Sequence, residues 1–275
     1  MRLSVSIVTY RSDLGLFKAL SHSLIRALER ARTEFPVAAD LIIVINDTYA
    51  ENIEAIECAI EALRATAPQY VCLRVVKGHG NIGYGAGQNR AFSTVASDYH
   101  LILNPDVLVE EDTLLQGLRY LEAHPEVAML VPQGFDPHNE YARLSKRHPS
   151  LLVLLLRALA VRGSDGVLGR RVARYTYGGE LPSDTPKSIT LASGCFMLCR
   201  TDTLKKVNGF DERFFLYFED YDLSLRVKNY GAIVELPQAR ITHYGGHTAR
   251  RDVRRVAHFV RSGVRFFNRY GWRIV

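Results

Sequence analysis

The sequence lacks the features that would most directly place a protein outside the cytoplasm. Four cysteines are present, and they do not form the two closely spaced pairs of a zinc site. No apolar run reaches the roughly 18 residues that a membrane-spanning helix requires. Met1–Tyr10 has the pattern of a strand rather than that of a signal peptide. We therefore expect reduced, mostly buried thiols in a cytoplasmic protein.

The composition excludes a disordered chain. Hydrophobic residues make up 47% and charged residues 23% of the 275 residues, which is enough apolar material for a sizeable core. One large domain, or a domain with an appendage, is expected.

Short apolar runs alternate with helical patterns along most of the chain. This alternation predicts an α/β fold with a mostly parallel sheet covered by helices on both faces. The predicted strands are Leu3–Tyr10, Leu41–Ile45, Val71–Val76, Tyr99–Leu103, Val127–Pro132 and Ile233–Leu236, with a strand pair over Ile189–Arg200 that Ser193 and Gly194 interrupt. The predicted helices are Leu14–Arg32, Asn52–Ala67, Gln88–Ala96 and Glu111–His124.

Polar residues follow the first two predicted strands at the edge where ligands bind in such sheets. They are Thr9, Tyr10, Asn46 and Asp47. The glycine-rich stretch Asn81–Asn89 matches neither the dinucleotide fingerprint nor the Walker loop. Its glycines allow a close approach to a ligand, and a phosphate or sugar near the following helix N-terminus would be favoured.

A metal site is indicated after the strand Tyr99–Leu103, which ends in Asn104-Pro105-Asp106. Hard divalent cations prefer oxygen ligands and are often shared with substrate phosphates. The later segment THYGGHT carries His243 and His247, and a histidine there could complete the site with Asp106. The sequence alone does not bring these residues together.

The stretch Gly209–Gly231 has the strongest chemical signature. Three carboxylates, Glu219, Asp220 and Asp222, directly follow an aromatic run. Acids also complement a helix dipole in the first turn. Partial burial beside aromatic rings raises a carboxylate pKa, however, and makes the group a better base near neutral pH. The cluster is therefore a candidate catalytic site.

The C-terminal segment is strongly basic in a chain whose net charge is +6. Between Arg250 and Arg273 there are eight arginines and one acid, Asp252. Helical spacing collects apolar residues on one face, namely Val256, Phe259, Val260, Val264 and Phe267. Such a helix either docks on the domain or lies on a membrane surface. The run Leu151–Val161 is either a core helix or a second lipid contact.

Seven segments in this order resemble the family 2 glycosyltransferases, and most closely their bacterial rhamnosyltransferase-like branch. They are SIVTY, IIVIND, NIGYGAGQNRA, LILNPDV, ASGCFMLCR, GFDERFFLYFEDYDLSLRV and HYGGHT. The resemblance implies the GT-A fold, a Rossmann-like architecture with a nucleotide-sugar half and an acceptor half. We place these halves at about residues 1–107 and 108–250, with a basic amphipathic helix over 251–275.

The resemblance also implies a role for each candidate residue. Asp220, in the Glu219-Asp220 pair, matches the catalytic base. Because neighbouring side chains on a helix diverge by about 100°, we expect a different role for Glu219, in positioning. Asp106 would be the main protein carboxylate on Mg²⁺ or Mn²⁺, helped by His243, because the first acid of the family motif is replaced by Asn104. Asn46 and Asp47 stand where the family commonly has an aspartate followed by an asparagine. Either side chain could therefore contact the pyrimidine base of the nucleotide. The residues expected around the nucleotide are Thr9, Tyr10, Asn46, Asp47, Asn81, Gly83, Asn89 and Asn104.

The expected function is transfer of L-rhamnose from dTDP-L-rhamnose, with inversion, to a bacterial cell-surface glycan or lipid-linked acceptor. UDP-sugars such as UDP-GlcNAc or UDP-galactose are alternative donors. A nucleotide-sugar-binding protein without turnover is the rival that the missing acid of the motif allows. No nucleic-acid partner is expected, because the basic tail belongs to no known binding module. A peripheral location on the inner face of the cytoplasmic membrane is expected.

Overall fold

A computed structural model describes residues 1–159, 166–245 and 253–275. The strands are β1 (Arg2–Thr9), β2 (Ala38–Ile45), β3 (Val71–Val76), β4 (Tyr99–Leu103), β5 (Val107–Val109), β6 (Val127–Phe135), β7 (Lys187–Ser188), β8 (Phe196–Arg200) and β9 (Ala232–His243). The helices are α1 (Leu14–Arg32), α2 (Ala50–Thr66), α3 (Tyr84–Phe92), α4 (Thr113–Ala123), α5 (Leu151–Ala158), α6 (Gly166–Tyr175), α7 (Thr201–Lys206), α8 (Glu219–Val227) and α9 (Val253–Tyr270).

The strands form one sheet in the order β3-β2-β1-β4-β8-β6-β9-β5, with β7 beside β9. Strands β1 to β4 are parallel, and β6 and β9 run in the same direction as these four. Only β5, β7 and β8 of the strands in the described ranges run the opposite way. The expected mostly parallel sheet is therefore confirmed.

Helices cover both faces because strand side chains alternate between two clusters. Leu3, Val5 and Ile7 of β1 pack with α1, α2 and α4 in the largest core cluster. Val8 of the same strand faces the opposite side, where it packs near Ala91 of α3. Strand β8 lies between β4 and β6, so the predicted halves share one continuous sheet. The boundaries drawn between them stay predictions.

Two elements of the structure, α3 and β5, differ clearly from the sequence prediction. The helix predicted over Gln88–Ala96 is α3, which starts at Tyr84 and ends at Phe92. The glycines of this stretch predict a loop, but Gly85 lies inside the helix, where a Cβ would approach Phe210 to 2.9 Å. The glycine is therefore needed for packing against protein rather than for a ligand. Strand β5 is absent from the sequence prediction because it has only three residues.

The thiols and the strand pair also differ in part from expectation. Cys195 and Cys199 are buried, but Cys58 and Cys72 are exposed, and all four are free. Within Ile189–Arg200 the strand is β8 alone, while Leu191 forms an isolated bridge with Lys146.

Helix α9 docks on the domain through a face that overlaps the predicted one only in part, at Phe259 and Phe267. Its buried residues are Ser262, Gly263, Phe266 and Phe267. Phe266 and Phe267 form a separate aromatic cluster with Phe214 and Phe218, just before α8. The residues Val256, Val260 and Val264, which are expected on the same apolar face, are exposed.

The run predicted over Leu151–Val161 is the amphipathic helix α5 followed by residues outside the described ranges. Val153 and Leu156 are buried, whereas Leu155 and Leu159 are exposed. A second helix, α6, follows in a region whose periodicity is too weak to predict one. Across the described residues, none of the helices is both long and apolar enough to cross a bilayer.

Candidate active site

The ends of β1 and β2 bring three of the predicted nucleotide residues together. Thr9 pairs with Ile45 in the parallel register, and the backbone N–H of Asn46 donates to the Thr9 carbonyl at 2.9 Å. Asp47 is buried and its carboxylate accepts the Arg11 backbone N–H at 2.9 and 3.1 Å. Asn52 also donates to Asp47 at 3.0 Å. The carboxylate therefore fixes the loop after β1.

Asn46 joins this edge to the glycine loop before α3. Its Nδ2 donates to the Gly83 carbonyl at 2.9 Å, and its Oδ1 lies 2.8 Å from Nε2 of His79. Asn81 accepts the Gly83 backbone N–H at 3.1 Å. Gly83 has a φ of 91°, and a Cβ there would lie 2.5 Å from the Phe215 carbonyl oxygen. Glycine is required because the loop preceding α8 presses against it.

Tyr10, Arg11 and Tyr49 form an exposed group beside the ends of β1 and β2. Tyr10 is 41% exposed, and the guanidinium of Arg11 lies 5.6 Å from its ring centre and 4.6 Å from that of Tyr49. Arg11 has a φ of 49°, an uncommon conformation for a residue with a side chain. Aromatic rings beside a cation suit the stacking of a base. The sequence does not single out Arg11 and Tyr49, because neither lies in a motif.

Asn89 contacts the acceptor half and not the other predicted nucleotide residues. Its Nδ2 donates to the Phe210 carbonyl at 2.8 Å and to Oε1 of Glu212 at 3.0 Å. Its Oδ1 accepts the Phe210 backbone N–H at 2.8 Å. The side chain thus ties α3 to the loop before α8. A contact with ribose or pyrophosphate stays a prediction that these contacts do not support.

Pairing between β5 and β9 brings Asp106 and His243 together. Val107 lies opposite His243, so Nε2 of His243 is 3.6 Å from Oδ1 of Asp106. A Cβ on Gly245 would lie 2.6 Å from both His243 Nε2 and Asp106 Oδ2, so no side chain at that position fills the space over them. His247 lies outside the described residues.

These groups have the chemistry that a divalent cation needs. Oδ1 of Asn104 and Oδ1 of Asp106 are buried without a hydrogen-bond partner in the structure. Buried oxygens without a partner are costly, and a hard cation prefers such ligands. The described part of the chain contains no cluster of three or more histidine, cysteine or acidic residues that could hold a metal alone. Asn104 and substrate oxygens would have to complete the coordination.

Helix α8 begins from an unusual backbone that directs its first turn. Tyr217 and Phe218 both have left-handed conformations, with φ values of 69° and 65°. Such residues cost about 1–3 kcal/mol each and persist where the surroundings hold them. Phe218 packs against Phe266 of α9 with ring centres 5.3 Å apart. The docked helix therefore supports the turn that leads into the acid cluster.

Asp220 is the acid whose two carboxylate oxygens are both held by backbone N–H groups. Its Oδ2 accepts the Gly194 backbone N–H at 3.1 Å, and its Oδ1 accepts the Tyr221 N–H at 2.9 Å. Desolvation raises the pKa of Asp220 to about 6, against the opposing effect of these hydrogen bonds and of Lys146. A carboxylate with that pKa is ionised at neutral pH and is still a competent base.

The two neighbouring acids have different environments. Glu219 is 5% exposed, its Oε2 has no hydrogen-bond partner, and desolvation followed by repulsion from Asp220 raises its pKa well above the usual range. Asp222 is fully buried and pairs with Arg226 at 2.7 Å and with Arg269 at 3.0 Å. Asp222 therefore forms its ion pairs within the protein. The catalytic and positioning roles of Asp220 and Glu219 stay predictions.

Tyr84 connects the glycine loop to the acid cluster. Its backbone N–H donates to the Phe215 carbonyl at 3.0 Å, and its hydroxyl donates to the Gly194 carbonyl at 2.6 Å. Gly194 in turn donates to Asp220. The nucleotide-side loop and the candidate base thus share one set of hydrogen bonds. The sequence marks Tyr84 only as part of a glycine-rich loop.

Comparisons with known proteins agree with this architecture. Residues 4–207 match the family described as glycosyl transferase family 2, and residues 182–249 match the N-terminal domain of galactosyltransferase. Among solved structures, the mannosyltransferase PcManGT from Pyrobaculum calidifontis in complex with GDP-Man and Mn²⁺ has a TM-score of 0.62 at 14% identity, covering 97% of this chain and 64% of that one. S. aureus TarS 1–349 in complex with UDP-GlcNAc has a TM-score of 0.54 at 16% identity, over 90% of this chain and 60% of that one. These likenesses show the GT-A fold.

Two curated relatives extend the comparison to sequence. The N-acetylglucosaminyl-diphospho-decaprenol L-rhamnosyltransferase of Mycobacterium tuberculosis is 27% identical over 205 residues, which are 69% of this chain and 64% of that protein. The rhamnosyltransferase WbbL of Escherichia coli K12 is 28% identical over 208 residues, covering 68% and 70%. The chain thus spans less than two thirds of the mycobacterial relative's length. Because the family 2 match covers well over half of the 275 residues, this chain belongs to glycosyl transferase family 2.

Proposed function

We propose that this protein is an inverting glycosyltransferase in which Asp220 is the general base. The acceptor hydroxyl attacks the anomeric carbon while the bond to the nucleoside diphosphate breaks, and Asp220 takes the hydroxyl proton. One displacement of this kind inverts the anomeric centre and requires no covalent enzyme intermediate. The observation that carries the proposal is the carboxylate of Asp220, held by the Gly194 N–H beside the loop that contacts Gly83.

Glu219 would act differently from Asp220. Its buried and unpartnered Oε2 is suited to accept a hydrogen bond from a sugar hydroxyl, or to donate one when the group is protonated. A polar group that is paired only in the complex favours a substrate able to fill that role. We therefore assign Glu219 to acceptor positioning.

Asn104, Asp106 and His243 would hold the cation, either Mg²⁺ or Mn²⁺. The two orphaned oxygens of Asn104 and Asp106 support this assignment. A bound divalent cation neutralises the charge that develops on a leaving diphosphate. A neutral amide in place of an acid lowers the site's charge, so we expect weaker metal affinity than two carboxylates would give.

We propose L-rhamnose from dTDP-L-rhamnose as the donor and a lipid-linked or cell-surface glycan as the acceptor. The names of the two rhamnosyltransferase relatives support the sugar, and the name of the mycobacterial relative supports a diphosphate-linked lipid. UDP-sugars remain the alternative donors, and the fold is shared with a protein solved with UDP-GlcNAc.

We also propose peripheral attachment to a membrane through α5 and the C-terminal segment 253–275, which contains α9. The two segments meet, because the Leu151 N–H donates to the Arg273 carbonyl at 2.8 Å and the Leu152 N–H donates to that of Ile274 at 3.1 Å. Both segments expose apolar side chains, namely Leu155, Leu159, Val256, Val260, Trp272 and Ile274. The arginines of α9 supply charge complementary to anionic lipid.

A screen of nucleotide sugars tests the proposed donor. Melting temperature would be measured with dTDP-L-rhamnose, UDP-GlcNAc, UDP-galactose and GDP-mannose, each with Mn²⁺ and with EDTA. A ligand at about 100 times its Kd stabilises the fold by about 2.7 kcal/mol. We expect the largest metal-dependent shift with dTDP-L-rhamnose, followed by its slow hydrolysis or transfer.

The outcomes of this screen separate the rival functions. A larger shift with a UDP-sugar would replace the donor but keep the reaction class. Binding of a nucleotide sugar without hydrolysis or transfer to any offered glycan would favour the non-catalytic binding protein. No shift with any nucleotide sugar would overturn the proposed function.

A further inference from the structure

Lys146 is a buried cation for which the reaction described above has no use. Its side chain is 8% exposed, and its only hydrogen bond in the described structure joins Nζ to the Ser145 carbonyl at 3.4 Å. No carboxylate among the described residues forms an ion pair with it. Burying an ammonium group without a close partner is costly. Burial is accordingly the largest of the effects that lower the pKa of Lys146, to about 7.

The acid that could neutralise Lys146 is engaged elsewhere. Glu235 is buried on β9, and the Tyr141 hydroxyl donates to its two oxygens at 2.8 and 3.0 Å. The hydroxyl of Ser145 also donates to Glu235. Four charged groups act on Lys146: Arg157 and Arg143 repel its charge, whereas Glu235 and Asp220 attract it. Two of these four groups therefore carry the same charge as Lys146 and oppose its protonation.

Lys146 is hydrogen-bonded to the segment that orients the candidate base. Its backbone forms both hydrogen bonds of a bridge with Leu191, each 2.9 Å long. Three residues further along the same segment, Gly194 donates to Asp220. The charge of Lys146 accordingly acts on Asp220, where it lowers the carboxylate pKa. The backbone of Lys146 is thus bonded to the same segment that orients the candidate base.

Arg157 reaches the same region from helix α5. Its guanidinium lies 5.5 Å from the ring centre of Tyr175, and the hydroxyls of Tyr175 and Tyr221 are 2.7 Å apart. Tyr221 directly follows Asp220. Arg157 therefore lies near a pair of hydroxyls, one of which belongs to the residue after the candidate base, and its charge also repels that of Lys146. An anion between them would relieve the repulsion and complete the hydrogen bonding of Lys146.

We propose that Lys146 and Arg157 bind a phosphate group carried by the acceptor, so that the substrate class is a sugar linked through phosphate or diphosphate. The assignment rests on the proposed glycosyl transfer at Asp220. An anion at this position has two sources, the acceptor's own phosphate and the leaving diphosphate of the donor. The unpartnered oxygens of Asn104 and Asp106 already provide for a cation on the donor diphosphate. Lys146 and Arg157 are therefore free to serve the acceptor.

The test measures binding of an alkyl diphosphate, without donor and in EDTA, so that it needs no turnover. Dodecyl diphosphate would be titrated into the wild type, Lys146→Met, Arg157→Met and the control Arg170→Met, which removes an exposed arginine of α6. A charge-assisted hydrogen bond to phosphate should contribute about 10- to 100-fold in Kd. We expect such losses in the Lys146 and Arg157 variants and an unchanged Kd in the control. Dodecanol measures the contribution of the chain.

The pH dependence gives a second readout through Lys146→Arg. Wild-type affinity for the diphosphate should fall as pH rises through about 7, because Lys146 must then take up a proton to bind. Lys146→Arg stays charged and should bind without this loss. Titration of the probe itself is common to all variants and cancels in the comparison.

Separate outcomes overturn this proposal and the proposed function. Equal diphosphate affinity in the wild type and Arg157→Met, a variant at an exposed position, would overturn the phosphate site even if Lys146→Met failed to fold. Loss of dTDP or UDP binding in Mn²⁺ by these variants, with alkyl diphosphate binding intact, would assign the cations to the donor instead. If the protein bound the alkyl diphosphate but turned over no nucleotide sugar, the phosphate site would stand and the proposed transferase function would be overturned.

Discussion

The backbone N–H of Gly194 lies 3.1 Å from Oδ2 of Asp220 and donates a hydrogen bond to it. This contact crosses from the segment before β8 to the first turn of α8. It fixes one oxygen of the carboxylate, while the Tyr221 N–H holds the other at 2.9 Å. A base whose orientation is set before the substrate arrives loses little freedom in the reaction. The Ser193-Gly194 break in the strand pattern therefore has a structural purpose.

Asp220→Asn should slow transfer by roughly 10²–10⁴-fold, because the amide keeps the shape of the side chain and cannot accept the proton. Donor affinity should change little, since Asp106 and the ends of β1 and β2 are untouched. Steady-state transfer and donor titration measure the two effects. Asp202→Asn, at an exposed position on α7, is the matched control. An Asp220→Asn variant that keeps more than about a tenth of the rate, beside an inactive Glu219→Gln, would make Glu219 the base.

The acidic limb of the pH profile should report the same carboxylate. A pKa of about 6 in the folded protein means that Asp220 becomes ionised, and hence active, as pH rises through this value. We expect kcat/KM for the donor, measured at saturating acceptor, to fall below pH 6 and to approach a plateau above it. The residual activity of Asp220→Asn should lack this inflection. An unchanged inflection in that variant would assign the titration to another group.

Glu219→Gln should stabilise the fold at high pH. The pKa of Glu219 is raised in the folded state, so the folded protein binds a proton more tightly than the unfolded chain. The stability that this proton provides is present below the unfolded pKa and is lost as pH rises through the folded value. A neutral amide has no such proton to lose. We therefore expect Glu219→Gln to raise the free energy of unfolding at high pH by about 1–3 kcal/mol, the cost of a buried group without a partner. Urea unfolding at pH 8 and at pH 4 measures it, and an equal effect at both values would contradict the argument.

The sheet and its first helices can be predicted because their signals are local. Buried parallel strands such as β1 and β4 are continuous apolar runs, and α1 has regular helical spacing. The start of α3 is misplaced in the prediction because glycines usually mark loops, whereas Gly85 is required by its contact with Phe210, 125 residues later. Contacts across such a separation leave no local pattern.

The candidate site is predictable where residue type alone limits the chemistry. Three acids directly after an aromatic run, and an aspartate three residues after a buried strand, are costly arrangements when buried unless the carboxylates bind a proton, a cation or a substrate. The pairing of Asp106 with His243 requires strand β5, which is too short to recognise in sequence. Lys146 and Arg157 escape prediction because a single lysine or arginine in a weakly periodic region looks like a solvated charge. Only the structure reveals that Lys146 is buried.

Asp106→Asn should abolish the metal dependence of donor binding. The change preserves size and removes the carboxylate that faces His243, and an amide is a weak ligand for a hard cation. We expect Mn²⁺ to strengthen nucleotide binding in the wild type and not in the variant, which calorimetry can measure. The control is Asp112→Asn, which removes an exposed acid before α4. Equal binding of the wild type with Mn²⁺ and with EDTA would remove the metal from the proposed reaction.

Membrane attachment is tested by charge placed on the exposed apolar side of α9. Val256 and Val260 are 53% and 57% exposed, which leaves both free to enter the headgroup region. Each basic residue near an anionic surface contributes about 1 kcal/mol, and salt screens that contribution. Val256→Asp combined with Val260→Asp should therefore abolish flotation with vesicles that contain phosphatidylserine, while Tyr230→Asp, at another exposed position, should float like the wild type.

Wild-type protein should float at low salt and less at high salt, and neutral vesicles should capture less of it. Equal flotation of the double variant, or no flotation of the wild type at low salt, would assign the exposed valines and arginines of α9 to another use.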